Sequence, residues 1–307
     1  MENKVKEKGH KILVVGSSNT DMVIQAEHLP SAGETIIGKS FFMNPGGKGA
    51  NQAVAVARLG GQTTFVCKTG NDMFGLQSQK LLKEEGIDTS HIFTDDKNPS
   101  GVALITVDDN AENCIVVASG SNWNLTPKDM EGIDEVIREN DYILMQLEIP
   151  METVEYVAKR AFGLGKKVIL NPAPAHSLTK ELLSHLYMIT PNETEAEMIS
   201  GVKITDEESA LDAARALAKV GVQNVIITLG SKGSMIFNDD KSTLIPALKV
   251  KAVDTTAAGD VFNEALVVGL ANDMTIADAA RFATKAAAIS VTRMGARDSA
   301  PYLNEIS

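Results

Sequence analysis

Cysteine is scarce in this chain: among 307 residues there are two, with one tryptophan, four tyrosines and five histidines. Cys67 and Cys114 each lie in an apolar, strand-like run with no paired spacing, so both are expected as buried thiols in a reducing compartment. His10, His28, His91, His176 and His185 have no metal-ligand spacing and accompany no nucleophilic Ser or Cys pattern, so they read as surface or packing residues. No run approaches the roughly eighteen apolar residues that a membrane span requires, and MENKVKEKGHK is not followed by an apolar segment of signal length. The expectation is a cytoplasmic protein, in which the sequons at Asn124 and Asn192 carry no consequence. Positive charge is also lacking. A net charge of −11 argues against nucleic acid or an anionic membrane as partner. There is no internal repeat and no low-complexity tract.

What is present is an ordinary globular balance, 44% hydrophobic and 22% charged, in a chain long enough for one large core. Short β-rich runs alternate with helical patterns: KILVVG then NQAVAVARLG, TTFVCKTG then GLQSQKLLKEEG, YILMQLE then METVEYVAKRAFGLG, KKVILNPAPA then TKELLSHL. YMITPN then ETEAEMISG, and a helix over Glu207 to Val220 before NVIITLG, continue the series. Strands followed by helices at this spacing imply parallel βαβ units, with the chemistry at the carboxyl edge of the sheet. The predicted fold class is α/β: three layers, a central mostly parallel sheet flanked by helices. Two stretches, at about residues 21–42 and 101–117, break the rhythm with alternating β-type segments and read as a small antiparallel sheet inserted into that body.

The segment DTTAAGDVFNEAL, from Asp254 to Leu266, is the most informative. Ala257, Ala258 and Gly259 lack side-chain bulk where a helix begins, so several backbone N–H groups can converge on an anion. Asp260, at the same turn, can take a proton from a hydroxyl while those N–H groups hold the charge of a transferred phosphoryl group. An ordinary Thr/Asp cap explains the Thr and the Asp but not three small residues in a row.

Seven further strings follow in order: GSSNTD (Gly16 to Asp21), NPGGKGANQA (Asn44 to Ala53), MQLE (Met145 to Glu148), NPAPA (Asn171 to Ala175), TPNETEAE (Thr190 to Glu197), TLGSKG (Thr228 to Gly233) and VTRMGARDS (Val291 to Ser299). With DTTAAGD they make the chain resemble, over essentially its whole length, the ribokinase branch of the PfkB carbohydrate kinases. The resemblance implies a single domain over 1–307, in which the inserted sheet is a lid that closes over a sugar and pairs with a second lid in a homodimer. It implies D-ribose and ATP as partners, with Mg²⁺ and a monovalent cation such as K⁺ as cofactors.

Residue by residue, Asn19 and Asp21 lie two apart just past the first strand and point to one side, which suits paired sugar hydroxyls. Alone, the pair would be a turn signal. Gly47, Lys48, Gly49 and Asn51 open a helix with more than a turn requires, and by resemblance contact the sugar; Glu148, ending YILMQLE, is placed in the same pocket. Asn192 and Glu195 share one helix face, a pattern identical to a plain capping box, and by resemblance that face meets the nucleotide phosphates and hydrated Mg²⁺. Thr228, Gly230, Ser231 and Gly233 would line ATP together with Gly259, and Thr284 would lie near the adenine. The cation would be held by Asp254, Thr256, Ser290, Arg293, Gly295 and Ser299.

Two patterns mislead. GETIIGKS, from Gly33 to Ser40, matches a P-loop by letter, but β-branched Thr35, Ile36 and Ile37 fill the loop and no buried strand precedes it. Gly47-Lys-Gly49 continues Ala-Asn-Gln, so the dinucleotide fingerprint fails.

The expected reaction is ATP-dependent phosphorylation of D-ribose at its 5-hydroxyl, with Asp260 as base. Rival readings are a kinase for deoxyribose or another pentose, and a sugar- or nucleotide-binding regulator on a kinase scaffold. The second rival draws on a departure from the family: relatives usually carry a small or hydroxyl residue where Val261 stands, and a glycine where Glu264 stands. Positions 260 and 264 are one helical turn apart, so an inward Glu264 puts a second carboxylate beside the base.

Overall fold

The computed structural model describes residues 10–110, 112–255, 258–295 and 298–306. The chain opens with β1 (Lys11–Val15), β2 (Asn19–Gln25) and β3 (Ser40–Gly46), followed by α1 (Lys48–Arg58), β4 (Gln62–Gly70), α2 (Met73–Glu84) and β5 (Asp88–Asp95). Next come β6 (Gly101–Val107), β7 (Asn113–Ala118), α3 (Ile133–Glu139), β8 (Tyr142–Met145), α4 (Met151–Gly163), β9 (Lys167–Leu170), α5 (Lys180–Ser184) and β10 (Met188–Ile189). The last part holds α6 (Glu193–Ser200), α7 (Glu207–Val220), β11 (Asn224–Thr228), β12 (Ser234–Asn238), β13 (Lys241–Ile245), α8 (Ala258–Ala271) and α9 (Ile276–Ser290).

Nine strands form one sheet in the order β13-β12-β11-β10-β9-β8-β1-β4-β5. From β11 to β5 every pairing is parallel, and at the other edge β12 alone is reversed, pairing antiparallel with β11 and with β13. β1 shows why the body is three-layered. Ile12 and Val14 enter a core with α1, α8 and α9, whereas Leu13 and Val15, facing the other way, enter a core with α3, α4 and α7. A strand buried on both faces must be apolar throughout, as KILVV nearly is.

The inserted segments do form a second sheet, in the order β3-β2-β6-β7, but it is mixed rather than antiparallel. β2 pairs with β6 in parallel, Asn19 opposite Gly101 and Gln25 opposite Val107. The chain leaves β3, builds α1 through β5 in the main body, and returns beside β2 in the same direction. Residues 34–39 precede β3 without strand structure. Every residue of β7 is exposed, including Ile115, Val116 and Val117, and Cys114 with them. The expectation of two buried thiols therefore holds for Cys67 alone. An apolar edge strand exposed along its whole length reads in sequence like a buried one.

Among the described residues no helix is long and apolar enough to cross a membrane.

Candidate active site

The site forms where loops leave the carboxyl ends of the strands and two helices begin. Ser17, just after β1, donates from Oγ to Glu148 Oε2 (2.5 Å), and the same carboxylate oxygen accepts the Lys48 backbone N–H (2.9 Å). Glu148 lies three residues beyond β8 rather than ending the strand. Lys48 is the first residue of α1, a start reached through Gly47 at φ 88, a left-handed conformation that other residues avoid. Gly46 is fixed by space. A Cβ there would lie 2.2 Å from Asp21 Oδ1, so glycine is what lets Asp21 turn into the site.

Asn19 and Asp21 both lie in β2, two positions apart, as the spacing predicts. Asn19 Oδ1 accepts from Asn122 Nδ2 (2.7 Å), and Asn122 Oδ1 accepts the Ser18 N–H (2.9 Å). Burial, reinforced by the charge of Glu148, pushes the Asp21 carboxyl up to about 6. Asn51 Oδ1 is buried and finds no donor among the described residues, so an incoming hydroxyl can satisfy it.

From the opposite side, Lys48 Nζ approaches Asp260 Oδ1 at 3.6 Å. The Asp260 charge, with Glu148 and Glu195 behind it, raises the Lys48 ammonium above its ordinary value despite burial. Asp260 stands in the first turn of α8. The Ala258 N–H is directed at the Thr255 carbonyl (3.2 Å). Gly259 and Asp260 remain as first-turn donors without an intrahelical acceptor. Thr256 and Ala257 lie outside the described residues.

Asn192 and Glu195 form the capping box of α6: Asn192 Oδ1 accepts the Glu195 N–H (2.8 Å) and Glu195 Oε2 accepts the Asn192 N–H (2.9 Å). Burial pushes the Glu195 carboxyl up, and Lys48 and Asp260 are among the charges that act on it. A bridge between Asn192 and Thr228 sets the next loop alongside, where Gly230 and Ser231 make a short 3-10 turn and Gly233 holds φ 110. Thr284, in the middle of α9, donates to the Ala280 carbonyl (2.8 Å).

The loops expected to hold a monovalent cation lie side by side. Val253 N–H donates to the Val291 carbonyl (2.7 Å), and Asp254 Oδ2 accepts the Gly295 N–H (2.9 Å). Ser290 and Ser299 are buried, and the Arg293 side chain turns to Glu305 (2.5 Å), leaving only its backbone for a cation. An oxygen-rich donor set of carboxylate, hydroxyl and carbonyls suits a hard cation. Among the described residues no group of three or more His, Cys, Asp and Glu could hold a metal ion on its own.

Some participants escaped sequence reasoning. Ser17 sits inside a quoted string, but Asn122 gives no pattern signal. A buried amide chain, Gln146 Nε2 to Gln52 Oε1 (2.5 Å) and Gln52 Nε2 to Asn171 Oδ1 (3.1 Å), lies among the same segments. A surface cavity of about 800 Å³, lined by Arg58, Asp298, Tyr302 and Glu305 among others, shares no lining residue with the carboxylate cluster. Its arginines are already paired, Arg58 with Glu85 (2.7 Å) and Arg293 with Glu305.

Comparison with known proteins decides the family. The pfkB family carbohydrate kinase profile matches residues 9–303. The chain belongs to this family. The kinase is 45% identical to a ribokinase of Haemophilus influenzae over 96% of either chain. It is also similar to an Arabidopsis thaliana ribokinase complexed with ribose and ATP, at 32% identity, a TM-score of 0.91 and 97% coverage of both chains. A deoxyribokinase of Salmonella typhimurium is 34% identical, covering 96% of this kinase and 97% of its own length.

Proposed function

We propose that this kinase phosphorylates D-ribose at the 5-hydroxyl with ATP, releasing ribose 5-phosphate and ADP. One observation carries the reading. Lys48, whose ammonium reaches Asp260, begins the same helix turn whose backbone N–H binds Glu148, so the candidate base and the candidate sugar ligands share one wall. Asp21, Asn19, Gly47, Gly49, Asn51 and Glu148 hold the other sugar hydroxyls, and the 5-hydroxyl faces Asp260. Asp260 accepts the hydroxyl proton as the oxygen bonds to the γ-phosphorus in line, and the bond from that phosphorus to the β,γ-bridging oxygen breaks. Gly259 and Asp260 N–H groups, with Lys48, steady the charge on the moving phosphoryl group. Asn192, Glu195, Thr228, Gly230, Ser231, Gly233 and Thr284 line the nucleotide.

Mg²⁺, near the Asn192 and Glu195 face, would supply charge neutralisation on the phosphates. A monovalent cation such as K⁺ would be held by Asp254, Ser290, Arg293, Gly295 and Ser299 and would fix the loop before α8. The second sheet acts as the lid over the sugar, and its exposed Phe41, Leu104, Ile115, Val116 and Val117 support pairing with a second copy. The reducing cytoplasm is the working compartment, a reading supported by two free cysteines, one in the core and one on the surface.

The more distant deoxyribokinase keeps deoxyribose as a second reading. A buried carboxylate and amide built to pair with hydroxyls are left short when one is missing, so ribose should exceed 2-deoxyribose in kcat/KM by roughly tenfold or more. A coupled ADP-release assay over pentoses and hexoses, with Asp260→Asn as control, tests both. Equal kcat/KM for the two sugars overturns the ribose assignment.

A further inference from the structure

Glu264 is a carboxyl in a place where nothing receives it. It follows Asp260 by one turn of α8, is 1% exposed, and neither of its oxygens finds a hydrogen-bond partner among the described residues. Every residue of α8 from Val261 to Ala271 is buried, so the side chain has no route to water by rotation alone. A carboxylate isolated in such surroundings is costly, and the group responds by holding its proton. Burial does push the Glu264 carboxyl well up, and the Asp260 charge pushes it further, while Lys48 acts in the opposite direction.

Among the described residues the surrounding elements offer no other compensation. α9 faces α8 with Ala279, Ala280, Ala283 and Ala286, and β1 and β8 contribute Ile12, Val14 and Leu144. Tyr142 spends its hydroxyl on the Leu270 carbonyl (3.1 Å) at the far end of the helix. From α1 comes Lys48, already shared between Asp260, Glu148 and Glu195. Protonated, Glu264 leaves Lys48 to Asp260 and adds nothing to an already acidic site. Ionised, it adds one negative charge about one helical turn from Asp260, competes for Lys48 and repels a polyphosphate.

We infer that Glu264 is a positioning residue acting through Asp260 and Lys48: uncharged, it leaves the nucleotide end of the site open to a polyanion, and ionised, it closes that end while the sugar end stays as it was. This rests on the function proposed above. Val261, the neighbouring departure from the family, is buried in the core with α1 and α9 and plays no part.

The decisive comparison is wild type against Glu264→Gln, which keeps the shape and cannot ionise, with Glu264→Gly as second variant. KM for ATP, KM for ribose and kcat are measured between pH 6 and 10, ATP binding is followed separately by calorimetry, and melting temperature is recorded over the same range. The expected result is an alkaline rise of about tenfold in wild-type KM and Kd for ATP that both variants lack, with ribose KM parallel in all three proteins. Glu264→Gln should also melt higher than wild type, by a margin that widens as pH climbs above about 4.5, since a carboxyl raised on folding loses stability in that direction. Superimposable ATP profiles for wild type and Glu264→Gln overturn the inference, as does an alkaline rise confined to ribose. Absence of sugar phosphorylation in all three proteins would strike the proposed function instead, and ATP binding against pH would still decide the role of Glu264.

Discussion

Lys48 Nζ lies 3.6 Å from Asp260 Oδ1, joining the start of α1 to the start of α8 across the carboxyl edge of the sheet. The two side chains are 29% and 16% exposed, so solvent screens the pair only in part. Their value lies in placement. In the proposed reaction the ammonium would keep the carboxylate aimed at the spot where the hydroxyl and the phosphoryl group meet.

Asp260→Asn keeps size and hydrogen bonding but cannot accept a proton. It should lower kcat by about 10²- to 10⁴-fold while KM for ribose changes only a few-fold. Steady-state ADP release at saturating ATP measures both, and an unchanged kcat would remove Asp260 from the role of base.

Asp21 gives the sugar end its own pH dependence. Its carboxyl is raised to about 6 by burial and by Glu148, so it is ionised above that pH and, in the proposed site, would accept sugar hydroxyls there. As pH falls through about 6 the acceptor is lost, and KM for ribose should rise, with kcat at saturating ribose less affected. The stability sign is opposite. A carboxyl raised on folding contributes stability that is complete below its unfolded value of 3.8 and lost as pH climbs through about 6, so Asp21→Asn should melt higher than wild type at pH 7. Identical ribose KM profiles for wild type and Asp21→Asn would contradict the assignment.

Much of this was legible in sequence because it is local. The helix expected over Glu207 to Val220 forms over those residues, and the Asn192/Glu195 spacing, read as a capping box, is one. Strand partners were not local, so the parallel entry of β6 beside β2 could not be read. β5, DTSHIFTD, is too polar to announce itself, and the antiparallel β12 and β13 fall outside the βαβ rhythm. Asn122 became visible only when its amide was seen to hold Asn19 and Ser18. Glu264 is the reverse case: its sequence position left open whether it turns inward or toward solvent, and the structure shows α8 buried on every side from Val261 to Ala271.

The second sheet carries several apolar side chains outward, with Phe41 58% and Val116 63% exposed, and β7 is an edge strand exposed along its whole length. An uncovered apolar edge is a liability in a monomer and a ready surface for a second copy. Val116→Lys or Phe41→Asp should convert a dimer to monomer by light scattering, with little change in melting of the main body. Wild type running as a monomer at micromolar concentration would rule out the lid-to-lid pairing.

The last prediction concerns the loops on either side of α8 and α9. Asp254 is tied to Gly295 through its carboxylate (2.9 Å), and Val253 to Val291 through the backbone (2.7 Å), so the segment that leads into Asp260 is braced against the segment that follows α9. A monovalent cation among Asp254, Ser290, Gly295 and Ser299 would tighten that brace and steady the first-turn N–H groups, which in the proposed reaction face the phosphoryl group. Replacing K⁺ by tetramethylammonium at constant ionic strength should therefore lower kcat several-fold, with KM for ribose nearly constant, because Asn19, Asp21 and Glu148 lie on other elements. Asp254→Ala should give the same loss in K⁺ and show no further response to the exchange of cations. That pairing separates a bound ion from a general salt effect, since a salt effect would persist in the variant. Equal kcat in the two cations for wild type would remove the ion from the site, leaving Asp254 as a structural brace to Gly295.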